Sequence, residues 1–206
     1  MQELNTGDIL LFHGEGYWFS YLVEWFTWSK YSHVAMVVKD PIYLDEKLKG
    51  IYMIESGKEN FPDAIRHRII KGVQIVDLEE VLKNYDGTVY VRKLTVEDHL
   101  RNDFDAILSV TWDKVRDASY DENPWDLIRT AFDINWGNNC RTNSFVCSAF
   151  VCFIYEQFQL LSIPLKWDLI TPDYFRSKVD SILQGTLSAE FEIFRRFTEY
   201  IHDSKL

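Results

Sequence analysis

Ser32-His33-Val34-Ala35-Met36-Val37-Val38 and Ile51-Tyr52-Met53-Ile54-Glu55-Ser56 are the two stretches that decide the fold. Both have strand length and are rich in residues that suit a pleated, buried surface. Each carries one ionisable side chain near an end. His33 opens the first, where an imidazole interrupts an apolar run. Glu55 closes the second, where a carboxylate is costly unless paired. The strands are consecutive, so antiparallel pairing is the direct arrangement. With His33 opposite Glu55, paired numbers sum to 88, Ala35 faces Met53, and Val37 faces Ile51. One face then carries the polar pair at one end and apolar pairs beyond it. A surface glutamate at a strand end and a bulged register are the plainer alternatives.

Working outward, Gly7-Asp8 is a turn opening a strand over Ile9–Phe12. Gly72–Val76 and Thr88–Arg92 read as two further strands, with a short helix over Asp77–Tyr85 stopped by Asp86-Gly87. Tyr17–Lys30 holds seven aromatics in fourteen residues, and Trp18, Tyr21, Leu22, Trp25 and Trp28 are spaced as one helix face. Helices dominate the second half. Apolar positions from Leu100 to Val115 predict one helix over Val96–Val115. Pro124–Phe132 and Thr171-Pro172-Asp173 open short helices, and Asn135–Asn143 is a polar loop. Phe145–Leu160 is apolar almost all round, the mark of a buried central helix. The last twenty residues fit strand or helix equally. Strands followed by helices predict an α+β fold, an antiparallel sheet packed against helices.

The chain has 206 residues, with 47% hydrophobic and 16% aromatic side chains. That length suits one domain, residues 1–206, able to bury a core without a metal or disulfide staple. The net charge of −10 argues against nucleic acid as a partner, since phosphate binding needs clustered Lys and Arg. The one basic run, Arg66–Lys71, is short. No apolar run approaches the roughly 18 residues of a membrane span, and the polar start Met1–Asn5 does not read as a signal peptide. Three cysteines are too few for a disulfide framework, so a reducing, cytoplasmic setting is expected.

Cys147 lies in the first turn of the apolar helix, here read as beginning Asn143-Ser144. Unpaired N–H groups and the positive end of the helix dipole favour a thiolate there and can hydrogen-bond an oxyanion. A small buried hydrophobe is the plainer reading of the same residue. Cys152 is deeper in the helix and reads as structural, while Cys140 sits in the polar loop beside Arg141. A nucleophilic thiol needs a base, usually histidine, oriented by a third polar group. His67, His99 and His202 read as solvent-facing, and His13 ends the first strand. His33 alone reads most simply as a satisfied core or edge residue, and the register that sets Glu55 beside it is what makes the pair a candidate. Asp121, Glu122 and Asp126 have no diagnostic metal-ligand spacing, and His13-Gly14-Glu15-Gly16 lacks the ending of a phosphate loop.

Thr6–Phe12, Tyr31–Val37, Ile54-Glu55-Ser56 and Val146–Val151, with Asn123–Asp126 and Ile170–Asp173, carry a resemblance. In this order they resemble the circularly permuted branch of the NlpC-type papain-like cysteine peptidases, the YiiX/YebB-like proteins. They are more distantly similar to lecithin:retinol acyltransferase-like proteins. The permuted order is histidine, polar residue, cysteine, as His33, Glu55 and Cys147 stand here. The resemblance implies a permuted papain-like core over about 6–175, with a C-terminal extension over 176–206. It implies Cys147 as nucleophile, His33 as base and acid, and Glu55 as the residue orienting His33.

The expected function is thiol hydrolysis or acyl transfer on an amide or ester bond through a thioester. No metal or organic cofactor is expected. The substrate would be a peptide, an amide or a lipid acyl group. A catalytically idle domain binding a peptide, lipid or protein in the same groove is the alternative. The aromatic stretch 17–28 could line a groove, touch a membrane surface or partner, form a dimer contact, or pack on the sheet.

Overall fold

The chain is seen in a computed structural model that describes residues 3–14, 30–57, 61–120, 144–163, 165 and 170–196. Residues 17–29 of the helix expected over 17–30, the expected elements of 123–143, Cys140 and His202 lie outside the described residues.

Gly7 adopts φ +95°, and a Cβ there would meet Leu94 Cδ2 at 2.7 Å, so only glycine makes this turn without strain. Asp8, fully buried, accepts from the N–H groups of Asn5 at 2.8 Å and Leu94 at 2.9 Å and pairs with Lys93. The turn launches β1 (Ile9–His13), followed by β2 (His33–Lys39), β3 (Ile51–Gly57) and β4 (Gly72–Asp77). Asp77 caps α1 (Leu78–Asn84) by accepting from Glu80 N–H at 3.0 Å, and β5 (Gly87–Arg92) and β6 (Leu94–Thr95) follow.

The single helix expected over 96–115 is two: α2 (Asp98–Asn102) and α3 (Phe104–Val115), broken at Asp103. Each side of the break is anchored separately. Arg101 donates to the Thr6 and Leu94 carbonyls at 3.1 and 2.6 Å, while Phe104 stacks on Phe158 at 4.0 Å. Two-residue strands β7 (Ser119–Tyr120) and β8 (Ser144–Phe145) precede α4 (Cys147–Gln157). Two 3₁₀ turns, Pro172–Arg176 and Lys178–Ser181, lead to β9 (Thr186–Leu187) and β10 (Phe191–Arg196).

The main sheet has the order β10-β5-β1-β2-β3-β4-β7-β8. Its neighbours are antiparallel except β7 and β8, which run parallel. Alternation along the strands divides the interior in two. Ile9, Leu11, Val34, Met36, Val38, Ile54, Val73 and Ile75 pack with α3 and α4. Leu10, Phe12, Ala35, Val37, Met53 and Val76 pack with α1. The segment read as an extension past 176 is tied into this body. β10 is an edge strand of the sheet, and buried Arg92 donates to Phe175 and Ser188 carbonyls at 2.7 and 2.8 Å and pairs with Asp180 at 2.9 Å.

Among the described residues, no helix is long and apolar enough to cross a membrane.

Candidate active site

β2 and β3 pair over four rungs only, from Lys39–Ile51 to Met36–Ile54. Paired numbers sum to 90, not 88, so the register differs by two from the sequence expectation. Both strands continue beyond the last rung, to His33 on one and Gly57 on the other. Their outer partners still hold them: β1 pairs with β2 as far as Phe12–His33, and β4 with β3 as far as Gly57–Gly72. His33 and Glu55 thus lie on either side of a parting in the sheet. They are diagonal rather than opposite, a spacing that long side chains can close.

They do close it. His33 Nε2 is hydrogen-bonded to Glu55 Oε2, and both side chains are buried, 1% and 0% exposed. Cys147 lies within electrostatic reach of the His33 ring. With Nε2 engaged by Glu55, Nδ1 is the second ring nitrogen. Cys147 belongs to the core beneath α4. The His33 ring also lies 5.5 Å from Phe12, a member of the core beneath α1. The imidazole therefore connects the two cores at the parting.

Burial by itself disfavours a charged imidazole. Cys147 and Glu55 reverse that, and His33 is held well above its ordinary value. An imidazolium flanked by a carboxylate and a sulfur is the favoured arrangement.

Cys147 is the first residue of α4, not a member of a turn begun at Asn143, because Ser144 and Phe145 are in β8 beside β7. Val146 occupies the cap position without a side-chain hydrogen bond to the helix, and the first intrahelical bond runs from Phe150 N–H to the Val146 carbonyl at 3.0 Å. The N–H groups of the first turn thus have no helical acceptor. Ser148 Oγ donates to the Ile170 carbonyl, and Tyr155 Oη donates to the Gly7 carbonyl at 2.7 Å, so both ends of α4 are fixed. Cys147 itself exposes none of its surface. Any molecule that reacts at the sulfur must first displace the groups that cover it.

One residue of the site was missed in the sequence. Gln74, on β4 directly opposite Glu55, donates from Nε2 to Glu55 Oε1 at 2.7 Å and is fully buried. The signal was present: Gln74 is a polar residue inside an apolar strand, as His33 and Glu55 are. The other candidates fall elsewhere. His13 Nδ1 meets the Lys30 carbonyl at 2.7 Å, His67 and His99 are exposed, and Cys152 is buried within α4. Asp121, Glu122 and Asp126 lie outside the described residues. Among the described residues, no group of three or more His, Cys, Asp or Glu is placed to hold a metal ion.

No protein-family model and no curated protein matches the chain. A solved structure, that of metalloprotein yiiX from Escherichia coli O157:H7 (DUF1105), is similar to it at 17% identity with a TM-score of 0.47, over 95% of this chain and 99% of that one.

Proposed function

We propose that this chain is a thiol hydrolase or acyltransferase with a permuted papain-like core, acting on an amide or ester bond. One observation carries the reading: the buried His33 imidazole is bonded to the Glu55 carboxylate and lies within electrostatic reach of Cys147, the first residue of a helix. In the proposed reaction, His33 Nδ1 takes the proton from Cys147 Sγ, and Glu55 stabilises the resulting imidazolium. The thiolate attacks the carbonyl carbon, and N–H groups of the first turn of α4 donate to the oxygen on which charge develops. The imidazolium then protonates the leaving amine or alcohol, leaving a thioester on Cys147. His33 next deprotonates water or an acceptor, which attacks the thioester and releases the acyl group.

The complete burial of Cys147 favours a second reading, a catalytically idle domain that binds a peptide, lipid or protein partner. Limited alkylation of the native protein at about pH 6, where an ordinary thiol is mostly protonated, separates the two. Peptide mapping should find Cys147 labelled ahead of Cys152 and Cys140, and His33→Ala should slow that labelling while sparing Cys140. Labelling led by Cys140, indifferent to His33→Ala, would remove Cys147 from the nucleophile's role. A native protein in which no cysteine reacts until it unfolds would favour the binding reading.

A further inference from the structure

β4 runs Gly72-Val73-Gln74-Ile75-Val76-Asp77. Val73 and Ile75 join the core beneath α4, and Val76 joins the core beneath α1. Gln74 stands among them with its side chain fully buried. Its Nε2 donates to Glu55 Oε1, while its Oε1 has no hydrogen-bond partner among the described residues. A buried carbonyl without a donor destabilises a fold, and an apolar side chain of similar length would avoid that cost. Gln74 therefore contributes one bond, and that bond is to Glu55. Turning the amide over would set its carbonyl oxygen against a carboxylate oxygen, two acceptors with no proton between them. The observed orientation suits a Glu55 that accepts at both oxygens, from Gln74 at Oε1 and from His33 at Oε2.

We infer that Gln74 is a positioning residue, whose side-chain amide holds the Glu55 carboxylate turned toward His33. The inference rests on the thiol reading above and adds a fourth member to its chain of contacts. Among the described residues, four groups face this chain. From β2 comes His33, from β3 Glu55, from α4 Cys147, and from β1 the uncharged ring of Phe12. With Gln74 removed, nothing on β4 holds the carboxylate toward His33, it supports the imidazolium less well, and the proton on His33 is released at lower pH.

Three variants test this. Gln74→Leu removes the amide, Gln74→Asn withdraws it by one methylene, and Gln74→Glu keeps the shape and lets two carboxyls share one proton. The readouts are the His33 titration followed by NMR of its ring protons and the rate of Cys147 alkylation at about pH 6. Gln74→Leu and Gln74→Asn should move the His33 midpoint down and slow alkylation roughly three- to tenfold, the loss of part of one charge-assisted hydrogen bond. Gln74→Glu should lie nearer the wild type in both. The Asn variant keeps the test open if the Leu variant does not fold. Folded Leu or Asn variants with an unmoved midpoint and an unchanged rate would overturn the inference. A wild-type Cys147 that ignores His33→Ala would instead overturn the thiol reading, while the midpoint would still report whether Gln74 acts on His33 through Glu55.

Discussion

Replacing Glu55 with glutamine separates the charge of this carboxylate from its shape. The pair it forms with His33 is fully buried. A truncating change such as Glu55→Leu leaves the imidazole's Nε2–H without a partner, and breaking a buried pair in this way costs about 3–5 kcal/mol. Glu55→Gln should be far milder. Its amide oxygen can still accept from His33, and its NH₂ would then point at Gln74. Gln74 can turn its amide and present the carbonyl that now lacks a donor. The network survives the change, so urea unfolding should place Glu55→Gln within about 1 kcal/mol of the wild type. What is lost is charge. A charge-assisted hydrogen bond contributes about 1.5–3 kcal/mol and a neutral one about 0.5–1.5. The difference, about 1–2 kcal/mol, predicts Cys147 alkylation at pH 6 slowed roughly five- to thirtyfold. The assay is mass-spectrometric mapping of the time course beside the unfolding curve. A Glu55→Gln protein that reacts at the wild-type rate would refute the role given to the carboxylate. A Glu55→Leu protein as stable as the wild type would refute the buried charged pair itself.

Cys147→Ser should lower the His33 midpoint, since Cys147 is the strongest of the influences raising it; NMR titration measures this. Because Cys147 is wholly covered, iodoacetamide should label it much faster than a bulky maleimide, and the ratio should shrink in mild denaturant; equal rates for both would contradict the burial. Tyr155→Phe leaves the Gly7 carbonyl without the Tyr155 hydroxyl and should cost about 1–3 kcal/mol in urea unfolding. Gly7→Ala meets both a positive φ and Leu94, and should destabilise by about 1–3 kcal/mol, read from thermal melts.

The strands were legible because their alternation is strong, and α1 because Asp77 and Asp86-Gly87 bracket it. The β2–β3 register was not. Registers summing to 88 and to 90 place the same side chains on the same face, so hydrophobic pattern cannot choose between them. The connecting loop chooses. Asp40 and Gly50 exchange backbone contact, Asp40 N–H to the Gly50 carbonyl at 2.7 Å, and Asp40 Oδ1 accepts from Gly50 N–H at 2.7 Å. Gly50 has φ +115° and Asp40 φ +45°, conformations that glycine and aspartate tolerate. The start of α4 was misplaced for a different reason. Ser144 and Phe145 are claimed by a parallel pairing with Ser119 and Tyr120, a long-range contact that local apolar pattern does not encode. Cys147, His33 and Glu55 stand out in the sequence because each is chemically conspicuous in its setting. Gln74 was passed over because an amide carries no charge to account for.

The four-rung pairing of β2 with β3 has a mechanical consequence. A sheet joined throughout by backbone bonds is closed permanently, whatever the pH. Here the last stretch is closed by a side-chain clasp, His33 to Glu55, with Gln74 behind it. Such a clasp holds according to which proton is where. The hold between the far ends of β2 and β3 is therefore set by the protonation of one imidazole and not by the backbone.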